Sequence, residues 1–352
     1  MKGLLALAAL LAATFAGCIS HTTTQPCKEG DLAVSCDLPV IATPPKVDAR
    51  KTLDDLKTFS QAYPYRQSGS PTHLAARDDL AARFKASGLD VVRESFPSGT
   101  KVRGQTTPLS YNGENIIGIK WGIDRTHFIV VGAHYDVTEG AVYGTYDDGS
   151  GTALVFELAS SFAKVTTNRT LLFIEFDQEE LGLVGSRYFL NQTEIGKFPL
   201  HGVVDGMIDL DMIGITWPHP AKMVVWQDSP NLKARITQLA AGTGMPADHL
   251  LFRRTLGGSS DGQTFIDAKV PTAYFWSDWD EYILPNGQPA PATPVPYVGP
   301  YPWWHKLDTY DTMVASAGDE KTLQAGFQTT LDIVAPLLFE MTQPAFVLDT
   351  DA

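Results

Sequence analysis

The amino-acid sequence predicts a three-layer α/β fold, in which helices cover both faces of a mainly parallel, mixed β-sheet. Short apolar runs that are typical of strands alternate with longer helical segments over most of the chain, which favours parallel strand–helix units. Several of these runs end in polar residues, and ligand sites in open α/β sheets gather at the carboxyl ends of strands. We therefore expect one α/β domain with a functional site along one edge of its sheet.

Helix and strand signals follow one another along the chain. The clearest helix is 71–87, where Ser70 is a predicted N-cap, Pro71 lies in the first turn and Gly88 ends the helix. The predicted helices are 48–63, 71–87, 152–163, a segment after Gly185, 230–242 and 320–341. The predicted strands are 91–96, 115–121, 128–133, 171–176, 203–210, 222–226 and 271–276. Together they predict a catalytic domain over residues 46–345.

The start of the chain is predicted to be a targeting segment. An apolar run after Met1-Lys2 ends in Thr14-Phe-Ala-Gly-Cys18, which predicts a signal peptide over residues 1–17 and lipidation of Cys18. The alternative is ordinary cleavage after an Ala or Gly. The residues after Cys18 are Ile and Ser, so no acidic retention signal follows. We expect an extracytoplasmic protein, either a bacterial outer-membrane lipoprotein or a secreted one, that meets a membrane only through a lipid anchor.

Residues 18–45 are rich in Thr, Pro and polar residues and are predicted to be a tether. Cys27 and Cys36 lie within it. In an oxidising compartment these two residues are expected to pair as a small loop disulfide, the alternative being two free thiols.

The net charge of the chain is −13 at pH 7. This charge argues against a nucleic-acid partner and against a basic membrane-binding surface. The oligomeric state is left open.

Two predicted strands end in residue pairs that suit metal chemistry. Strand 171–176 is followed by Glu179 and Glu180, and strand 128–133 by His134 and Asp136. Neighbouring carboxylates on a turn point in different directions, so one can bind a metal while the other reaches a water molecule. Residues two apart in an extended segment share a face. Asp136 can therefore accept the N–H of the His134 nitrogen that does not bind metal.

Three further residues complete a candidate ligand set. Asp147 lies with Asp148 in a turn-rich tract before a predicted helix, Asp211 ends a strand, and His305 lies in a loop before the C-terminal helix. Each alone has an ordinary explanation, such as helix capping by an Asp. Two histidines and three carboxylates in this order suit zinc, which takes imidazole and carboxylate ligands.

The order of these motifs resembles the co-catalytic di-zinc exopeptidases, a family that includes secreted bacterial leucyl-type aminopeptidases and has glutaminyl cyclase-like relatives. The matching segments are His134-x-Asp136, Asp147-Asp148-x-x-Gly151, Glu179-Glu180-x-Gly-Leu-x-Gly-Ser186, Leu210-Asp211-Met212 and His305-x-x-Asp308-Thr309. The resemblance runs from about Ser68 to the C-terminal helix. It implies a zinc exopeptidase-like fold and peptide substrates with a free N-terminus.

The resemblance also implies two zinc ions per chain. Carried over by position, Asp147 would bridge the two ions. His134 and Asp211 would complete the ligands of one ion, and Glu180 and His305 would complete those of the other.

The same resemblance assigns the catalytic roles around the metal. Glu179 would be the general base. The second predicted catalytic residue is Asp136, whose place beside His134 follows from their spacing and not from the resemblance. The peptide bond between Asp147 and Asp148 would be cis.

An aromatic, proline-rich segment over 278–304 leads directly into His305. Long loops in compact domains are often functional, so this one is predicted to line a substrate pocket that favours an apolar first residue. The pocket candidates are Trp279, Tyr282, Trp303 and Trp304. The alternative is a rigid surface loop whose aromatic rings pack on the body of the domain.

Other functions stay open beside a zinc aminopeptidase. A single-zinc glutaminyl-peptide cyclotransferase resembles the chain at 176–180 and at Trp304-His305, whereas the two motifs around Asp147 and Glu179 are typical of peptidases. A non-catalytic receptor-like protein would not need the full ligand set. A carboxypeptidase would need a cation for the substrate carboxylate, and Arg253-Arg254 is the obvious candidate.

Some polar residues are predicted to have only structural roles. Ser260 and Asp261, followed by Phe265, are expected to support the site. Five histidines lack a partner at useful spacing and are expected on the surface or in the core: His73, His127, His201, His219 and His249.

Overall fold

The computed structural model describes residues 43–97, 111–194, 197–253, 260–278 and 307–350. Several predictions lie outside these residues and stay predictions. They concern the signal peptide, Cys18, Cys27, Cys36, Trp279, Tyr282, Arg254, Trp303, Trp304 and His305.

The described residues form alternating helices and strands. The strands are β1 (Asp90–Phe96), β2 (Gly113–Lys120), β3 (Asp124–His134), β4 (Arg169–Phe176), β5 (Val203–Leu210), β6 (Lys222–Gln227), β7 (Leu250–Arg253) and β8 (Thr272–Asp278). The helices are α1 (Ala49–Ala62), α2 (Pro71–Ala86), α3 (Ser150–Phe162), α4 (Val184–Glu194), α5 (Pro230–Gly242), α6 (Asp261–Asp267), α7 (Tyr310–Ala317) and α8 (Glu320–Met341).

All eight strands form one mixed sheet in the order β1-β2-β4-β3-β5-β8-β6-β7. Its centre, β4-β3-β5-β8, is parallel throughout, while β1 and β2 add antiparallel strands at one side. On the other side β6 runs antiparallel to β8 and parallel to β7. The predicted mainly parallel, mixed sheet is confirmed.

The central strand β3 separates two apolar cores. Its residues alternate between them, with Ile129 and Val131 in the larger core and Phe128 and Val130 in the smaller one. The larger core takes side chains from α1, α2, α3, α5, α7 and α8, and the smaller one takes side chains from α4 and α6. Strands buried on both faces are continuous apolar runs, which is why 128–133 and 171–176 were predictable.

The local signals for α2 behave as predicted. The Ser70 hydroxyl accepts a hydrogen bond from the backbone N–H of His73 at 3.1 Å, and Pro71 opens the helix. Gly88 follows the helix with a φ of 87°, a left-handed conformation that glycine adopts without steric cost.

Three elements were not predicted from the sequence. They are β7, α6 and α7, of four, seven and eight residues. A segment this short covers too few turns or alternations to show a period. None of the helices in the described part of the chain is long and apolar enough to cross a membrane.

Candidate metal centre

Parallel strand pairing brings the predicted ligands to one edge of the sheet. β3 lies between β4 and β5, with His134 level with Phe176 and Gly132 level with Asp209. The carboxyl ends of all three strands therefore meet. His134 ends β3, the Glu179-Glu180 turn follows β4, and Asp211 follows β5.

Three of the five predicted ligands form a buried group. One potential ligand atom each from His134, Asp147 and Asp211 lies within 4.8 Å of the other two. The His134 Nε2 atom is 3.1 Å from Asp147 Oδ1 and 3.9 Å from Asp211 Oδ1. An imidazole nitrogen and two carboxylate oxygens are a donor set that zinc takes.

The electrostatics of this group also fit a cation. The Asp211 Oδ1 atom is buried and has no hydrogen-bond partner among the described residues. Burial raises the pKa of Asp211 to about 8, and the nearby carboxylates of Asp147 and Asp209 add to the rise. Burial lowers the pKa of His134, but the carboxylates around it, Glu179 first, raise that pKa well above its usual value. A divalent cation would relieve this repulsion, so the residues fit the metal that the sequence predicts.

The turn that carries Asp147 is held by Asp308. The Asp308 carboxylate accepts the backbone N–H of Tyr146 at 2.8 and 3.0 Å and that of Asp147 at 2.9 Å. The peptide bond between Asp147 and Asp148 is cis, as the resemblance implied. Asp308 thus fixes the backbone of a candidate ligand 161 residues away.

Asp148 ties the turn to α3 and β5. Its Oδ1 atom accepts the backbone N–H of Gly151 at 2.9 Å and that of Met212 at 3.2 Å. A Cβ atom on Gly151 would lie 1.9 Å from the carbonyl oxygen of Leu210, so only glycine lets the start of α3 approach β5 this closely. Asp148 is therefore placed to shape the site, while Asp147 points into it.

Asp136 contacts both His134 and the following turn. The nearest acceptor for the His134 Nδ1 atom is the Asp136 carbonyl oxygen at 3.2 Å, whereas the Asp136 Oδ1 atom lies at 3.6 Å. Sequence reasoning expected the carboxylate in this place. The carboxylate instead accepts the backbone N–H of Glu179 at 3.1 Å and the hydroxyl of Ser68 at 3.0 Å.

Glu179 and Glu180 lie on a tight turn beside the buried group. The Glu179 carbonyl oxygen accepts the N–H groups of Gly182 and Leu183 at 2.7 and 2.8 Å. The Glu180 Oε1 atom accepts the backbone N–H of Thr138 at 3.0 Å. Both side chains stay partly exposed, and burial is the largest cause that raises the pKa of each well above its usual value. Neither carboxylate belongs to the three-residue group in the described part of the site.

Arg66 is a residue that the sequence analysis missed. It is fully buried and donates hydrogen bonds to the carbonyl oxygens of Tyr135, Tyr143 and Gly144. Burial lowers the pKa of Arg66, while Asp308 and nearby acids raise it. Arginines are mostly exposed, and no local pattern distinguishes Arg66 from a surface arginine. The sequence therefore offered no signal that Arg66 is buried next to the turn that carries Asp147.

His73 and His127, which have no partner at useful spacing in the sequence, are a core and a surface residue as predicted, and each contacts an aspartate. His73 lies in the core, and its Nε2 atom is 2.8 Å from Asp177 Oδ1. Because His73 Nδ1 accepts the backbone N–H of Gly69 at 3.1 Å, Nε2 carries the proton. The His127 Nδ1 atom lies 2.9 Å from Asp205 Oδ1. Both partners are more than 70 residues away in sequence, so spacing alone could not reveal them.

The segment around Ser260 supports the end of β5. The Ser260 hydroxyl and the Gly262 N–H donate to Asp209 Oδ2 at 2.9 and 2.6 Å. Burial raises the pKa of Asp209 to about 6. The neighbouring Asp261 is also fully buried. These contacts agree with the supporting role expected of this segment.

A mainly parallel sheet with a buried imidazole and two carboxylates at its carboxyl edge defines a class of α/β proteins suited to hold a divalent cation. Within that class the chain belongs to peptidase family M28, which matches residues 115–325. The predicted family is confirmed.

Similar proteins include named peptidases. The chain is 31% identical over 218 residues to leupeptin-inactivating enzyme 1 of Streptomyces exfoliatus, a match that covers 61% of this chain and 45% of that protein. It is 29% identical over 234 residues to aminopeptidase YwaD of Bacillus subtilis, covering 64% of this chain and 44% of that protein. The chain thus matches less than half the length of either relative.

Solved structures share the fold. BSAP, a zinc aminopeptidase from Bacillus subtilis, superposes with a TM-score of 0.64 at 16% identity, over 87% of this chain and 98% of that one. The glutaminyl cyclase of Porphyromonas gingivalis superposes with a TM-score of 0.60 at 18% identity, over 82% and 97% of the two chains. At these identities the likeness shows the fold alone.

Proposed function

We propose that this protein is a zinc aminopeptidase that removes the first residue of peptides. The observation that carries the proposal is the buried group of His134, Asp147 and Asp211 beside Glu179 in a chain of peptidase family M28. The aminopeptidases among its relatives support this choice of reaction.

His134, Asp147 and Asp211 would hold one zinc ion. The second ion of the proposal would share Asp147 and take Glu180 and His305 as its other ligands, as the motif order implies. Bound zinc would supply positive charge that polarises the scissile carbonyl and makes a neighbouring water more acidic.

Glu179 is the residue best placed to move the proton. Its backbone is fixed at the N–H by Asp136 and at the carbonyl by Gly182 and Leu183, so the carboxylate starts from a rigid turn. Burial raises its pKa well above the usual value. A general base works best when its pKa lies near the working pH. Glu179 would take a proton from the attacking water and pass it to the leaving amine.

The aminopeptidases among the similar proteins favour a substrate with a free N-terminus. A carboxypeptidase would instead need a cation for the substrate carboxylate, such as Arg253-Arg254. We therefore place the aminopeptidase ahead of a carboxypeptidase.

The second candidate is a single-zinc glutaminyl cyclase. The glutaminyl cyclases that share the fold favour it, as does the run Phe-Asp-x-Glu-Glu over 176–180. The extracytoplasmic location, the lipid anchor at Cys18 and the Cys27–Cys36 disulfide belong to the proposal on sequence grounds alone.

Two measurements on the purified full chain separate the candidates. An aminopeptidase should release nitroaniline from leucyl-p-nitroanilide and retain about two zinc ions per chain after dialysis. A cyclase should instead cyclise a peptide with N-terminal glutamine and retain about one ion. A chelator that removes zinc should abolish whichever activity is found. An activity that survives complete removal of zinc would contradict both candidates.

A further inference from the structure

One fully buried carboxyl group in the described chain has no part in the proposed mechanism. Glu175 lies on β4, level with Ala133 of β3, and its side chain has no exposed surface. It points towards the start of α3, where its Oε2 atom is 2.9 Å from the hydroxyl of Thr152. Its other oxygen, Oε1, has no hydrogen-bond partner among the described residues.

Thr152 also reaches the end of β3. Its Oγ1 atom lies 3.2 Å from the backbone carbonyl oxygen of His134, the candidate zinc ligand. A hydroxyl group carries a single proton, and both a carbonyl oxygen and an ionised carboxylate only accept hydrogen bonds. The hydroxyl can therefore satisfy only one of its two neighbours unless Glu175 brings a proton of its own.

From this proton count we infer that Glu175 is kept protonated and positions His134 through Thr152. The Glu175 carboxylic acid donates to the Thr152 hydroxyl, and that hydroxyl donates to the His134 carbonyl oxygen. The chain of two hydrogen bonds links β4, α3 and the last residue of β3. This inference goes beyond the proposed function and rests on it in one respect, namely that His134 binds the metal.

The surroundings of Glu175 agree with a neutral acid. Burial raises the pKa of Glu175 well above its usual value, although the Thr152 hydrogen bond and the charges of His134, Arg66 and Arg83 lower it. None of these three cations forms an ion pair or a hydrogen bond with Glu175 among the described residues. A bare, buried oxygen is also far less costly on a neutral acid than on an ionised one.

Substitutions at Glu175 separate a donated proton from a negative charge. Glu175→Gln replaces the acid by an amide whose N–H can donate to Thr152, whereas Glu175→Met keeps the size and removes the donor. Zinc affinity of the full chain, measured by competition with a chromogenic chelator, should stay within about twofold for Gln. It should fall about 10- to 100-fold for Met, the usual loss when a residue behind a metal ligand is removed. Equal losses in both variants would overturn the inference, because the charge would then be the needed feature.

Thr152 provides a second pair of variants if the methionine protein folds poorly. Thr152→Ser keeps the hydroxyl and should bind zinc like the wild type. Thr152→Val removes it and should lose affinity as Glu175→Met does. A valine variant with wild-type zinc affinity would show that the carbonyl of His134 needs no such support.

Thermal unfolding of the full chain in excess chelator tests the protonation itself, whether or not zinc ever binds. When folding raises the pKa of a carboxyl group, the folded protein loses stability as the pH rises from the pKa of that group in the unfolded chain towards its pKa in the folded protein. The Tm of Glu175→Gln should therefore match the wild type near pH 5 and exceed it by several degrees at pH 8. Glu157→Gln is the matched control, because Glu157 is a buried carboxylate ion-paired with Lys51 at 2.8 Å; its Tm should fall. A Glu175→Gln protein that is less stable than the wild type at pH 8 would refute the inference.

Discussion

Replacing Arg66 by methionine should strongly destabilise the protein. Arg66 is fully buried and donates to three backbone carbonyl oxygens. Hydrogen bonds from a charged donor contribute ~1.5–3 kcal/mol each. Three such bonds give about 4.5–9 kcal/mol, and we expect the lower end because the carbonyl oxygens can relax and find water. The predicted loss is therefore about 4.5 kcal/mol.

Urea unfolding followed by circular dichroism measures this loss. Arg235→Met is the matched control, because Arg235 also binds through two nitrogens, to Glu340, but at a partly exposed position. That pair should contribute about 1 kcal/mol or less. Zinc affinity should fall in Arg66→Met as well, since Gly144 directly precedes the turn that carries Asp147. A loss below about 1 kcal/mol in Arg66→Met would refute the assigned role of this side chain.

Three further predictions concern the site. Glu179→Gln should keep its metal and lose at least ~10²-fold in kcat, whereas Glu180→Gln should lose one metal ion. Metal analysis and nitroanilide kinetics distinguish the two variants. Wild-type turnover by Glu179→Gln would remove Glu179 from the mechanism. Burial raises the pKa of Asp211 to about 8, so the metal-free protein should lose stability as the pH rises towards 8. In chelator at pH 8, Asp211→Asn should therefore unfold at a higher temperature than the wild type. A lower Tm of this variant would contradict the prediction. Shortening 279–304 to a few glycines, with His305 kept, should flatten a one- to two-order preference for apolar first residues, since each buried CH₂ contributes ~0.8 kcal/mol; an unchanged ranking in kcat/KM would place the pocket elsewhere.

The central strands and their polar ends were predictable because each depends on a local pattern. Continuous apolar runs marked β3 and β4, and parallel strands bring their carboxyl ends to one edge. His134 and Asp211 could therefore be assigned to one site from the sequence alone. Their order along the chain then pointed to the family.

The supports of the site could not be predicted in the same way. Asp308 binds the Tyr146 backbone across 162 residues, and His73 meets Asp177 across 104. Such pairs depend on the finished fold. Asp308 and Asp177 lie in recognisable motifs, but nothing local to either residue identifies its distant partner. Arg66 is a further case, because its sequence context does not distinguish it from a surface arginine.

The segment that follows β8 is anchored at both ends, by β8 before it and by Asp308 after it. β8 is held between β5 and β6, and Asp308 is fixed to the turn of Asp147. Each doubling in the length of a flexible segment costs only ~0.6 kcal/mol of closure entropy, so changes of length within residues 279–304, ahead of the proposed ligand His305, would leave both anchors in place. Neither the sheet nor the Asp147 turn has to move when the length changes. Under the proposed function, substrate preference would change by insertion and deletion in this interval, while the candidate ligands His134, Asp147 and Asp211 stay in place.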